Sequence, residues 1–374
     1  MREFSISLKE KFKRLDPVVL VCVLLMNTMS IIVLLAMAPA YENGAWYVQV
    51  QLLASVVSLI FMFVIAFSDY DTIFSKLKYV FFGIIIVLIL IVKFFGKGSY
   101  GNDNWISIGP VSVQPTEIAK VFFLITLSMH AGKLKDNINH PLSILQLLLH
   151  AGLVIGLVLW QGDTGMALVY SSIVLFVFLG GGVSIWYFLG VALIGVALTP
   201  ILWSHLTSRQ QIRILAGFNP DLDPQDGGYQ AILSRNTIIS GGFRGAGFYG
   251  GTQFQRQFGS RSDFIFSTLA EKFGFLGTTL YVVLMFILIM RILWLSGQAR
   301  IKYASLICIG AAGLLIAQTV ENIGMCLAML PVVGITLPFL SYGPSSILAS
   351  YMVIGIVQSI CVYNKKYYFE RELE

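Results

Sequence analysis

The sequence predicts an all-α integral membrane protein of about ten transmembrane helices, with one large extracytoplasmic loop between the seventh and eighth spans. Three observations carry that expectation. The 374 residues are 57% hydrophobic and only 12% charged, whereas a soluble domain carries about 25% charged residues. Apolar stretches long enough to cross a hydrocarbon core of about 30 Å recur along the whole chain. Lysines and arginines gather at alternate connections between those stretches, as expected when cytoplasmic loops collect positive charge.

The spans follow in order. Val18–Met37 is too long for a signal peptide and lacks a small-residue cleavage pattern, so it reads as the first span. Tyr47–Phe67 and Tyr79–Phe95 come next, then Pro115–Ala131, which is interrupted by Glu117 and Lys120. Ile144–Trp160, Met166–Leu179 and Ile185–Trp203 complete the first seven, and Leu276–Leu295, Ser305–Leu330 and Pro344–Tyr363 the last three. Placing Lys9, Lys11, Lys13 and Arg14 in the cytoplasm puts Lys76, Lys78, Lys133, Lys135, Arg291, Arg300 and Lys302 there too, with Lys365, Lys366 and Arg371 at the far end. Both termini are then cytoplasmic, and residues 1–374 read as one membrane domain.

The loop over 205–262 departs from the short connections elsewhere. Long loops translocate regardless of charge, so its arginines do not oppose the orientation, and a loop of this length is functional or disordered. Within it, Gln230–Ile239 is compatible with a short amphipathic helix. The net charge of +6 comes without a long basic run, which argues against nucleic-acid binding. Cys22, Cys308, Cys326 and Cys361 lie in or beside apolar stretches and read as small buried hydrophobes. His130, His140, His150 and His205 show no metal-pair spacing, so no metal site is expected.

Charges inside a span are costly and mark functional candidates. Glu117 and Lys120 stand three residues apart on one helical face. They form either a packing ion pair or the wall of a polar cavity in which Lys120 meets an anionic head group. Gln161-Gly162-Asp163 is either a turn or part of the same outer site. Asp221-Leu222-Asp223 resembles a metal-holding string but sits among Asn219, Pro220 and Pro224, which favours a turn. The glycines from Gly241 to Gly251 allow close backbone approach; they cradle phosphate through N–H groups or form a loop without a ligand. Asp263, where the loop re-enters the membrane, is a helix N-cap, a base of raised pKa, or both. The prolines and glycines between Leu330 and Ser346 predict a broken segment covered by protein or water.

Taken in order, these motifs resemble the RodA/FtsW (SEDS) family of lipid-linked peptidoglycan polymerases. The resemblance is carried by Trp105-Ile106 through Gly109, Gln114–Lys120, Gln161–Gly165, Arg213 with Asn219-Pro220 and Asp223, and Gly228-Tyr229-Gln230. Ser240-Gly241-Gly242, Gly251-Thr252-Gln253, Asp263–Phe266, Asn322–Met325 and Leu337–Ser346 extend it. It runs from the third span to the tenth, and Gly251-Thr252-Gln253 is more similar to the elongation branch. Two departures stand out: Phe258-Gly259-Ser260-Arg261-Ser262-Asp263 replaces the usual Pro-Glu-x-His-Thr-Asp, and Gly162 replaces a proline.

The resemblance implies a lipid II polymerase at the outer face of the bacterial cytoplasmic membrane, working with a class B penicillin-binding protein. It implies a catalytic Asp263 and a cavity holding Glu117, Lys120, Asp163, Gln161, Trp105, Arg213, Gln230 and Ser341. Membrane lipid is the surrounding partner, and a divalent cation, Mg or Mn, is compatible with the pyrophosphate leaving group. A flippase for the same precursor and a non-catalytic scaffold for the penicillin-binding protein stay open as alternatives.

Overall fold

A computed structural model of the chain describes residues 7–96, 104–109, 111–205 and 207–364. α1 (Leu8–Arg14) lies ahead of the first span and is capped by Ser7, whose hydroxyl accepts the Glu10 N–H at 3.3 Å. Asp16 then caps α2 (Pro17–Met37) through the Val19 N–H, with Pro17 at the first helical position, where its missing donor costs nothing. α3 (Gly44–Ala66), α4 (Tyr70–Phe95) and α5 (Pro115–Lys133) follow. A short antiparallel hairpin, β1 (Ile106–Ile108) and β2 (Val111–Val113), precedes α5; the all-helical reading did not anticipate it.

α6 (Pro141–Gln161) ends on left-handed Gly162 and α7 (Thr164–Gly181) on left-handed Gly182, the conformation in which glycine meets no Cβ penalty. α8 (Ile185–His205) closes the first half. α9 (Ser208–Phe218) and α10 (Tyr229–Gly241) lie between α8 and α11 (Ile265–Gln298), so the long inter-span segment is largely helical. The helix expected around Gln230–Ile239 is α10, whereas α9 was not foreseen. α12 (Lys302–Cys326) and α13 (Pro344–Asn364) complete the bundle.

Among the described residues, nine helices are long and apolar enough to cross a membrane: α2, α3, α4, α6, α7, α8, α11, α12 and α13. α5, with its buried Glu117 and Lys120, is the polar tenth. α13 packs on α3 and α12 on α7 and α11. Lipid offers apolar groups as good a solvent as a neighbouring helix does, so association depends on close approach of small residues. Gly310 and Gly313 provide it on α12: a Cβ there would stand 2.5 Å from Leu124 and 2.2 Å from Phe176. All four cysteines are buried, as the sequence implied. α8 has no buried side chain among those described.

α11 differs most from expectation. It begins eleven residues before the predicted Leu276 and is broken at Gly274, where φ is 65° and ψ −161°. A Cβ at Gly274 would lie 2.3 Å from the Gly245 nitrogen. The break lets the glycine-rich loop enter: Ala246 and Gly247 donate to the carbonyls of Glu271 and Lys272 at 2.8 and 3.0 Å, and Phe275 donates to the Gly242 carbonyl at 2.9 Å. These glycine-loop N–H groups are spent on the helix rather than held ready for phosphate.

Candidate active site

The chain between α12 and α13 is the hub of the site. Residues 331–337 carry no regular structure, and buried Phe339 holds a positive φ of 61°. A non-glycine residue in that region is uncommon and carries strain that its surroundings must hold in place. Glu117, Ser341 and the Asp263 strip reach this segment directly or through one side chain; Lys120 is joined to it through Glu117, and Asp163 to the start of α13 through Gln114.

Asp263 approaches from the loop side. Tyr342 donates its N–H to the Arg261 carbonyl at 2.9 Å, and the Ser341 hydroxyl donates to the Ser262 carbonyl at 2.6 Å while accepting the Leu337 N–H at 2.7 Å. The buried Asn322 amide of α12 joins the two strips: its Nδ2 donates to the Asp263 carbonyl at 2.7 Å and to the Ile335 carbonyl at 2.6 Å. The N-cap of α11 is Phe264, which makes no side-chain capping bond, so Asp263 is not spent as a cap. Its carboxylate sits half-buried beside Gly334, where a Cβ would stand 3.4 Å from Oδ2. Burial pushes this carboxyl up to about 6, against a smaller downward pull from the Ser262 hydroxyl. Gly334 also has a φ of 69°, so Gly334→Ala strains the backbone beside Asp263. The expected result is at least a tenfold loss of turnover at unchanged yield of membrane-inserted protein, read by glycan product per mole of enzyme.

Glu117 and Lys120 approach from α5. They are paired and buried. The Thr336 hydroxyl donates to Glu117 Oε1 at 3.2 Å and shares a hydrogen bond with the Ser346 hydroxyl at 2.7 Å. Since Thr336 follows the Ile335 clamped by Asn322, adjacent residues of the hub contact the α5 pair and the Asp263 strip. Asp163 caps α7 through the Met166 N–H at 2.9 Å and accepts from Gln114 Nε2 at 2.8 Å. Burial raises its carboxyl, and those two donors pull it partly back down. The Gln114 N–H in turn donates to Ser345 Oγ at 3.2 Å, and at Gly165 a Cβ would stand 2.6 Å from the Val333 carbonyl. The turn at Asp163 is therefore docked on the same hub.

The remaining predicted residues are peripheral to it. Gln161 donates to Asn104 Oδ1 at 3.1 Å, and half-buried Trp105 follows Asn104 into β1. Gln230 lies in the first turn of α10, where its carbonyl accepts from Gln257 at 3.5 Å and its own Oε1 is buried with no partner among the described residues. Arg213 lies on α9, and its side chain, like that of Arg209, is outside the described residues. Asp223 stabilises a turn by accepting the Gly227 N–H at 3.0 Å, in keeping with its proline-rich surroundings.

Two participants were not singled out beforehand. Glu271 accepts the N–H groups of Gln253 and Phe254 at 2.8 and 2.9 Å. Lys272 donates to the Gly250 carbonyl at 2.7 Å and stands 4.7 Å from the Phe254 ring centre. Together they tie the loop to α11 in front of Asp263. Arg261, already part of the motif leading to Asp263, stacks its guanidinium 4.0 Å over the Tyr47 ring two residues from that aspartate. His130 and His150 face each other with Nδ1 atoms 3.2 Å apart, a pairing between α5 and α6 that a separation of twenty positions conceals.

The chain resembles known proteins throughout its length. The profile of the cell cycle protein family of FtsW, RodA and SpoVE matches residues 15–366. The peptidoglycan glycosyltransferase MrdB of Escherichia coli K12 is 35% identical over 288 residues, spanning 75% of this chain and 77% of that protein. The stage V sporulation protein E of Bacillus subtilis is 31% identical over 337 residues, spanning 87% and 89%. The crystal structure of the rod shape determining protein RodA of Thermus thermophilus superposes with a TM-score of 0.69 at 25% identity, covering 94% of this chain and 98% of that one. A chain of a peptidoglycan synthase complex that coordinates polymerization and crosslinking reaches 0.81 at 28% identity, covering 94% and 99%. With the ten-helix bundle and the ordered motifs, these matches establish that the chain is a membrane-embedded member of the FtsW, RodA and SpoVE cell cycle protein family.

Proposed function

We propose that the chain is a peptidoglycan glycosyltransferase that polymerises lipid II at the outer face of the bacterial cytoplasmic membrane. Relatives named for that activity match it over most of their length, and the higher identity to MrdB than to the sporulation protein favours a role in elongation. The observation that carries the reading is Asp263: a half-buried, uncapped carboxylate of raised pKa, beside the interruption of the bundle that also contacts the α5 ion pair. In this reading both termini and the basic short loops are cytoplasmic, and residues 205–262 face outward within a single membrane domain.

Asp263 takes the proton from the acceptor 4-hydroxyl as that oxygen bonds to the donor anomeric carbon. The anomeric C–O bond breaks with inversion, and its electron pair leaves on undecaprenyl pyrophosphate. A general base of pKa near the working pH balances availability against strength. Lys120 is engaged by Glu117, so the loop cations, Arg261 first among them, are the nearer source of charge for the leaving group. Among the described residues no three His, Cys, Asp or Glu side chains converge; a Mg or Mn ion would arrive with the pyrophosphate rather than on a protein-built cage. Asp163, Gln161, Trp105, Gln230, Ser341 and Arg213 then shape the substrate cavity around the hub. A class B penicillin-binding protein is the partner that fits, as the solved synthase complex couples polymerization to crosslinking.

The test is polymerisation of purified lipid II by the purified chain, with and without that partner. Glycan strands in either condition are the expected result. Intact protein that binds lipid II but makes no strands in either condition overturns the polymerase reading in favour of a flippase or a scaffold.

A further inference from the structure

At the end of the bundle opposite Asp263, three elements enclose a cavity of about 220 Å³. α1 and its connection to α2 contribute Lys13, Arg14 and Asp16, the end of α11 contributes Arg291 and Trp294, and α13 closes the floor with Ile360 and Cys361. Three cations line it against one carboxylate.

That carboxylate is already committed. Asp16 is buried, caps α2, and accepts from Arg291 Nη2 and Nε at 2.7 and 2.9 Å. Gln358 of α13 holds the Asp16 backbone on both sides, its Oε1 accepting the N–H at 2.8 Å and its Nε2 donating to the carbonyl at 3.0 Å. Arg291 is thus fixed at the back of the cavity, with its guanidinium 4.0 Å over the Trp294 ring. Two of its five donors serve Asp16. Arg14 pairs with exposed Glu10 and donates to the Val362 carbonyl at 3.4 Å. Lys13 is exposed and makes no ion pair among the described residues. An indole exposed over 52% of its surface at the end of a span is typical of the headgroup level of a bilayer.

A pre-oriented guanidinium, a second arginine and a lysine around a concavity beside an exposed indole match the chemistry of a phosphodiester. We propose that this cavity binds the phosphate of an anionic phospholipid of the cytoplasmic leaflet. The leaflet rests on the orientation argued above; the binding chemistry does not. The lipid's acyl chains would lie along the apolar flank of α11, and inorganic phosphate is the other carrier of the same group.

The experiment is native mass spectrometry of the detergent-purified full chain titrated with phosphatidylglycerol, phosphatidylcholine or inorganic phosphate. It is repeated with Lys13→Gln, Lys13→Gln/Arg14→Gln and, as a control on the opposite face, Lys93→Gln. Expected is retention of phosphatidylglycerol at least tenfold tighter than phosphatidylcholine, weakened about fivefold per cation removed and unchanged in the control. Lys13 is exposed, so its single variant reports binding even if the double variant proves unstable. Equal retention of the two lipids, or full retention in both site variants, overturns the proposal. Binding of inorganic phosphate without the lipid also overturns it. None of these readouts depends on polymerisation, so their failure and that of the glycosyltransferase reading are separable.

Discussion

Asp263→Asn lowers lipid II polymerisation by about 10²–10⁴-fold, the range attributed to a general base, without loss of folded protein. The carboxylate makes no capping bond to α11, and the contacts that hold its loop run through its backbone carbonyl to Asn322; asparagine preserves them. The pH dependence gives a second handle. Burial raises this carboxyl to about 6, and the base works only when ionised, so turnover falls as pH drops through about 6 and is about tenfold lower at pH 5. Stability moves the other way. The folded state holds the Asp263 proton more tightly than the unfolded chain, so the group's stabilising contribution is full below its ordinary value of 3.8 and is lost as pH rises through about 6. Asp263→Asn therefore removes the acid limb of the rate profile and flattens that part of the stability profile. An acid limb that survives in the residual activity of the variant assigns it to another group and ends the base assignment.

Lys120→Met destabilises the bundle by about 3–5 kcal/mol, the cost of leaving a buried carboxylate without its cation. Among the described residues, the Thr336 hydroxyl alone then still donates to the Glu117 carboxylate. Glu117→Gln/Lys120→Met recovers most of that loss, because no uncompensated charge remains. The double variant separates the two readings of the pair. A pair that only fixes packing regains polymerisation together with stability. A pair that shapes the substrate cavity regains stability, measured by thermal unfolding in detergent, yet stays at least tenfold slower. The second result is expected, because Thr336 links Glu117 directly to the segment beside Asp263.

The sequence announced what depends on composition and local spacing. The spans were visible because each needs an unbroken apolar stretch, and the Glu117–Lys120 pair because a helix brings residues three apart to one face. The break between Leu330 and Ser346 was visible in its prolines and glycines. What stayed hidden depends on approach between distant parts of the chain. Glu271 and Lys272 lie outside the apolar stretch that begins at Leu276, and the loop's N–H and carbonyl groups satisfy them inside the helix. Asn322 showed up as part of a motif, but its role as a clamp between two carbonyls needs the fold. Asp163 is the turn residue its neighbours suggested, and its bond to Gln114, which joins the turn to the start of α13, needed the fold to be seen.

The interruption of α11 at Gly274 has a consequence for how this helix can change. In a continuous helix one inserted residue rotates everything beyond it by about 100°. Here the torsion is absorbed at Gly274, and the segment before it is locked to the glycine loop through Glu271 and Lys272. The stretch after the break is held as well, by Phe275 on the Gly242 carbonyl and by Tyr281 on the Pro338 carbonyl, so a residue inserted beyond Tyr281 turns only the part of the helix that follows it. The nine residues that follow Phe264 keep their register, and with them the aim of Asp263.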